Sequence, residues 1–193
     1  VLDAGCGTGA MAVELAERGA EVVAVDIAPE LIKIAEARCP RHLRSRIAFG
    51  AGDMLDPALG RFDHAVAMDS MIYYDRPTLV QLLKANEGRI GGKFVFTLAP
   101  RKPLLMAMFR VGKLFPRSDR SPVMIPHRAL DLASDLRIAG ANGRLAPVER
   151  VTSGFYISDC LRFGGQTFSS VRNPSRMRPC RCCTLPTRSL MAS

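Results

Sequence analysis

Four aspartates, Asp3, Asp26, Asp53 and Asp69, each close a short apolar run, and a carboxylate at such a point can take hydroxyls, an amine or a cation from a ligand. The first stands in Val-Leu-Asp-Ala-Gly-Cys-Gly-Thr-Gly, residues 1–9, where Gly5, Gly7 and Gly9 alternate directly after the acid. Glycines so spaced let a backbone turn sharply and come close to a ligand without side chains at the contact points. A loop for a dinucleotide usually reads G-x-G-x-x-G and sets a pyrophosphate on a helix N-terminus, whereas this one reads G-x-G-x-G. An acid beside exposed backbone N–H groups suits a nucleoside that carries both a cation and a carboxylate. A nicotinamide or flavin dinucleotide, or a glycine turn that binds nothing, are the competing readings of the loop alone.

The elements around these residues follow from their patterns. Val1–Asp3 and Glu21–Asp26 are apolar strands that end in acids, and Met11–Gly19 between them has helical spacing with a glycine stop. Strand, helix, strand in this order predicts a parallel sheet. Ile47–Asp53, with Met54 following, gives a third strand, Phe62–Asp69 a fourth, and Phe94–Pro100 a fifth. The expected class is α/β: a Rossmann-like, doubly wound, mostly parallel sheet with helices on both faces and its ligand at the carboxyl edge.

Residues 101–122 form the most individual stretch. Leu104, Met108, Val111 and Phe115 recur at helical spacing, accompanied by Arg101, Lys102, Arg110, Lys113, Arg117 and Arg120. They read as an amphipathic cap on the sheet, as a lid over a flat apolar substrate edged with carboxylates, or as a helix on a membrane surface.

Composition bounds these readings. A chain of 193 residues, 48% hydrophobic, can bury one substantial core, and no apolar run is long enough to span a membrane. A soluble, cytoplasmic domain over residues 1–159 is expected. Of the formal net charge of +9, six charges come from arginines in residues 160–193, which contain no acid, so the domain itself is mildly basic. No basic face with interleaved aromatics suggests nucleic acid. Residues 160–193 read as a basic Cys/Arg/Ser/Pro tail, without apolar period from Phe168 onward and therefore disordered. Cys180, Cys182 and Cys183 lack partners at a zinc spacing, so no metal site is expected.

The spacing of the first nine residues resembles the first motif of class I methyltransferases that use S-adenosylmethionine. With Gly52–His64, Leu114–Pro122 and Ser153–Ser158 added, residues 1–160 resemble the magnesium protoporphyrin IX O-methyltransferases of bacteriochlorophyll synthesis. That resemblance implies methyl transfer to a porphyrin propionate and an antiparallel hairpin ending the sheet. It implies cofactor contacts from Asp3, Gly5, Cys6, Gly7 and Gly9. Asp26 would hold the ribose with Ile27 beside it, Asp53 the adenine amino group with Met54 against the ring, and Asp69 would border the crevice. Arg101, Arg110, Lys113, Arg117 and His127 become substrate contacts, His127 also reading as an axial magnesium ligand or simply a solvated loop histidine.

Family members often carry a His-Tyr pair after the fourth strand. Here the pair is Tyr73-Tyr74, so a phenol takes the catalytic place of the histidine. The chain opens inside its first motif without the helical segment that precedes it in the family, so an N-terminal portion is expected to be missing and the 160–193 tail is atypical. Contact with magnesium chelatase and a peripheral position on photosynthetic membranes are further expectations of the resemblance that the residues themselves do not carry. A quinone or other small acceptor, and a truncated copy without turnover, are the alternative functions.

Overall fold

The computed structural model describes residues 1–54, 56–100, 124–153 and 156–164. They build one seven-stranded sheet: β1 (Leu2–Ala4), β2 (Val22–Asp26), β3 (Ile47–Ala51), β4 (Ala65–Ala67), β5 (Phe94–Leu98), β6 (Arg144–Ser153) and β7 (Tyr156–Gly164). Four helices accompany them: α1 (Ala10–Glu17), α2 (Pro29–Arg38), α3 (Arg76–Asn86) and α4 (Ala129–Ile138).

The strand order is β3-β2-β1-β4-β5-β7-β6, with β1 to β5 parallel and β7 antiparallel to both neighbours. From β1 the chain winds outward through β2 and β3, then returns to lay β4 on the other side of β1. The loops leaving β1 and β4 therefore diverge, and a crevice opens between them at the carboxyl edge.

Alternation along β2 shows the two layers. Val22 and Ala24 pack with Ala12 and Ala16 of α1 and with Ile32 of α2. Val25 faces the larger cluster, where Leu79, Leu82 and Leu83 of α3 and Leu132 and Leu136 of α4 meet Leu2, Ala65, Phe94 and Phe96. Full burial of a leucine or phenylalanine side chain contributes about 1.5–3 kcal/mol, so this second cluster anchors the strands that carry the crevice.

Local signals set the helix ends. Gly19, at φ 92°, stops α1, its N–H reaching Ala16 O and the Ala20 N–H reaching Leu15 O. Asp75 caps α3 by accepting from the Thr78 N–H at 2.9 Å, with Pro77 in the first turn. Arg76 ties α3 to α4 through Asp131 at 3.2 Å and Asp135 at 2.7 Å.

One expectation is corrected. The domain does not stop at 159, because β7 continues to Gly164 with Cys160, Leu161 and Phe163 buried against β5 and β6. The absence of acids after Asp159 marks a change in charge, while the alternation of the strand runs on through it. The expected antiparallel hairpin ends the sheet, with β7 pairing β5 and β6 taking the edge. That edge is blunted by Arg144, Glu149 and Arg150 and by an irregularity between Pro147 and Glu149. Among the described residues no helix is long and apolar enough to cross a membrane. Residues 165–193, which include most of the expected tail, lie outside those described.

Candidate active site

The three glycines of the loop after β1 are required for different reasons. Gly5, Gly7 and Gly9 all have positive φ, at 77°, 54° and 81°. A Cβ on Gly5 would stand 2.4 Å from Cβ of Ser70, and one on Gly9 would stand 2.9 Å from Cβ of Ala35. One therefore permits the loops after β1 and β4 to touch, and the other seats the start of α1 on α2. At Gly7 a Cβ would meet nothing within 4 Å, so its backbone borders open space.

Asp26, at the tip of β2, fixes the loop. Its Oδ2 accepts the Gly7 N–H at 2.8 Å and its Oδ1 the Ala28 N–H at 2.9 Å, while the N–H groups of Gly5 and Cys6 bond Val25 O at 2.8 and 3.0 Å. Each carboxylate oxygen keeps a second lone pair for ligand hydroxyls. Ile27, next in sequence, leaves its side chain 83% exposed beside this tip.

Asp3 is 1% exposed, and burial raises its carboxyl pKa from 3.8 to about 7, with the nearby Asp26 charge adding to the rise and a hydrogen bond from the Ala12 N–H opposing it. Its Oδ2 is buried with no hydrogen-bond partner among the described residues. A buried acid half-satisfied by a helix N-terminus and otherwise orphaned suits a cationic ligand group, which would supply the missing partner. The residues around the cradle thus fit a nucleoside with an ammonium. Burial also pushes the Cys6 thiol up to about 12, Asp3 and Asp26 adding to it, so it stays protonated.

The remaining strand tips complete the crevice. Asp53 after β3 is exposed, and Met54 is 8% exposed within the main core, presenting little of its side chain to a ligand. Asp69 holds a left-handed conformation, φ 55°, that non-glycine residues seldom adopt. Thr97 of β5 maintains it: the Thr97 hydroxyl accepts the Asp69 N–H at 2.7 Å and donates to Asp69 Oδ1 at 3.0 Å. Ser70 follows and donates to Ala4 O at 2.8 Å, joining the two loops across the crevice floor. Neither Thr97 nor Ser70 is singled out by sequence. A serine directly after a strand-ending acid is a weak signal, and a threonine within a buried strand is none.

Of the tyrosine pair, Tyr73 is 42% exposed and Tyr74 half-buried against the main core. Burial, and then the charge of Asp53, raise the Tyr74 pKa, so its phenol remains a donor. His127 is not the solvated loop histidine that its neighbourhood in sequence suggests. It is 7% exposed, with Nε2 2.9 Å from Tyr74 O. A carbonyl only accepts, so Nε2 carries a proton and donates it to Tyr74 O. Arg101, Lys102, Arg110, Lys113, Arg117 and Arg120 lie outside the described residues. Pro100, just beyond β5, forms a parallel bridge with His127. A separate shallow groove of about 1030 Å³ runs along the opposite, amino edge, lined by Arg44, Arg46, Arg61, His64 and Arg89 among others. The acids and glycines above do not reach it.

The family model described as "Magnesium-protoporphyrin IX methyltransferase C-terminus" matches residues 67–164, and a general methyltransferase domain matches residues 1–87. A magnesium-protoporphyrin O-methyltransferase of Rhodobacter capsulatus is 56% identical over 84% of this chain and 70% of its own length. The chain belongs to the magnesium-protoporphyrin IX methyltransferase family. A chloroplastic magnesium protoporphyrin IX methyltransferase of Arabidopsis thaliana shares 28% identity over 82% of this chain and 50% of that protein. Among solved structures, the magnesium protoporphyrin IX methyltransferase of Synechocystis with bound SAH superposes with a TM-score of 0.70 at 22% identity, covering 84% of this chain and 72% of that one. The shared fold is that of class I methyltransferases. The family model runs from the last residue of β4 to the end of β7, and the methyltransferase domain spans the glycine loop.

Proposed function

We propose that this chain transfers the methyl group of S-adenosylmethionine to a propionate carboxylate of magnesium protoporphyrin IX, forming the monomethyl ester on the route to bacteriochlorophyll or chlorophyll. The observation that carries the reading is the glycine cradle with the partnerless oxygen of Asp3 beside it, in a member of this family. The cofactor is held, in this reading, by the loop of Gly5, Cys6, Gly7 and Gly9, with its ammonium toward Asp3 and its ribose hydroxyls on Asp26. Ile27, Asp53 and Met54 take the adenine end, and Asp69 borders the reacting centre. When bound, the cofactor supplies a methyl on a sulfonium.

The acceptor needs no general base. A propionate with a pKa near that of Glu, about 4.3, is ionised at neutral pH and offers its lone pair directly. As its oxygen forms the new O–C bond the C–S bond breaks, and an anion and a cation become two neutral groups. Such charge annihilation is favoured where water is excluded. The protein's task is alignment, which can supply effective molarities on the order of 10⁵–10⁸ M. Tyr73 and Tyr74 donate hydrogen bonds toward the propionate or pack on the macrocycle, and Arg101, Arg110, Lys113 and Arg117 meet its carboxylates. Cys6, kept as a thiol, does not compete for the methyl group.

Incubating the chain with magnesium protoporphyrin and methyl-labelled S-adenosylmethionine should place base-labile label in the porphyrin. Label that stays in the donor, or enters only a quinone acceptor, would sink the assignment. Contact with magnesium chelatase, a peripheral membrane position and a tail beginning beyond the sheet are further parts of the proposal, each open to co-purification or flotation assays.

A further inference from the structure

The stretch before α4 meets the loops after β4 and β5 through a residue with bonds on two sides. His127 donates its backbone N–H to Ala99 O at 2.9 Å, just beyond β5, and its Nε2–H to Tyr74 O at 2.9 Å, in the loop after β4. Two residues earlier the Ile125 N–H bonds Ile72 O at 2.8 Å, and Pro100 pairs with His127. The loops after β4 and β5 are thus bridged at one buried histidine, its imidazole on the first and its backbone N–H on the second, while the Tyr74 N–H closes its own turn on Met71 O at 3.3 Å. Without the imidazole, Tyr74 O would lose the one side-chain donor that holds it among the described residues. We infer that His127 is a positioning residue for methyl transfer, fixing through its Nε2–H the backbone of Tyr74 and hence the placement of the Tyr73-Tyr74 pair.

This inference rests on the proposed placement of that pair beside the acceptor. It assigns His127 neither to the magnesium nor to the porphyrin carboxylate. Because the cofactor cradle is built from the loop after β1, the bond should act on the acceptor side alone. Displacement of a catalytic side chain by a fraction of an ångström to one ångström costs roughly ten- to a hundredfold in rate.

The test compares the full chain with His127→Leu, His127→Gln and His127→Asn. Gln places an amide N–H close to where Nε2 stands, and Asn falls short of it. His127→Leu should lower kcat at least tenfold while SAH affinity by calorimetry stays within about twofold, and His127→Gln should keep most of the wild-type kcat. Should the Leu variant fail to fold, the Gln and Asn variants decide: a Gln rate well above the Asn rate supports the inference, and equal rates overturn it. Hydrogen exchange provides a readout independent of the acceptor, since the Tyr74 and Ile125 amides should exchange faster in His127→Asn than in His127→Gln. If wild-type protein leaves the porphyrin unlabelled, the proposed function fails, while this exchange pattern still judges the clamp. Unchanged exchange in every variant, or loss of SAH binding in step with kcat, overturns the positioning role.

Discussion

Replacing Gly5 and Gly7 separately by alanine should produce opposite phenotypes, although the two glycines are separated by one residue and share a left-handed backbone. At Gly5 the new Cβ would lie 2.4 Å from Cβ of Ser70, whose hydroxyl is held on Ala4 O at 2.8 Å. The left-handed conformation costs an alanine about 1–2 kcal/mol, and overpacking adds about 1–3 kcal/mol. A loss of roughly 2–5 kcal/mol should lower the melting temperature by about 5–20 °C in a chain of this size. At Gly7 the conformational cost is similar, but a Cβ meets nothing within 4 Å, so the melting temperature should fall by only about 2–8 °C. The methyl would instead intrude on the space assigned to the nucleoside, and SAH affinity should fall about 5- to 150-fold, the range that 1–3 kcal/mol of overpacking brings. Differential scanning calorimetry and isothermal titration with SAH measure the two quantities independently. A Gly7→Ala protein that binds SAH as wild type would show that the open space at Gly7 is not the cofactor's, and the reasoning would be wrong.

Further outcomes follow from other contacts. The folded pKa of Asp3, about 7, lies above its ordinary 3.8, so its contribution to stability is fully present below pH 3.8 and is lost as pH rises through 7. Ligand-free protein should lose on the order of 4 kcal/mol from this group over that interval, a slope that Asp3→Asn removes in pH-dependent denaturant titrations. SAH affinity should rise as the pH passes 7 in wild type and stay flat in the Asn variant. Thr97→Val, which deletes both bonds to Asp69, should cost about 1–3 kcal/mol in urea unfolding and weaken SAH binding. Tyr73→Phe should slow methyl transfer without changing SAH affinity, as read by steady-state kinetics beside calorimetry. Arg76→Ala, which breaks exposed pairs with Asp131 and Asp135, should cost at most about 1 kcal/mol and leave methyl transfer unchanged.

What sequence makes legible here is what is local. Gly5, Gly7 and Gly9 after Asp3, and the acid closing β2, are contiguous patterns whose physical meaning survives without neighbours, and they lead directly to the sheet and its carboxyl edge. The end of β7 is less legible, because charge composition changes at Asp159 while the strand continues. His127 shows the limit most clearly. Its burial depends on residues 124–127 lying between Ile72–Tyr74 and Ala99–Pro100, pairings separated by about 25 to 55 positions in the chain, and nothing in Ile-Pro-His-Arg announces them. Thr97 and Ser70 act through the same kind of long-range approach. The resemblance implies Met54 against a ligand ring, and in the fold its side chain is 8% exposed at the border of the larger core.

The central claim is that a sulfonium nucleoside sits at the carboxyl edge between β1 and β4. A crystal structure of the protein with SAH measures this directly. Density for the nucleoside should lie along Gly5–Gly9, with the ribose on Asp26 and the amino group completing the bonding of Asp3 Oδ2. Density in the arginine-lined groove at the amino edge, with the glycine loop bare, would contradict it.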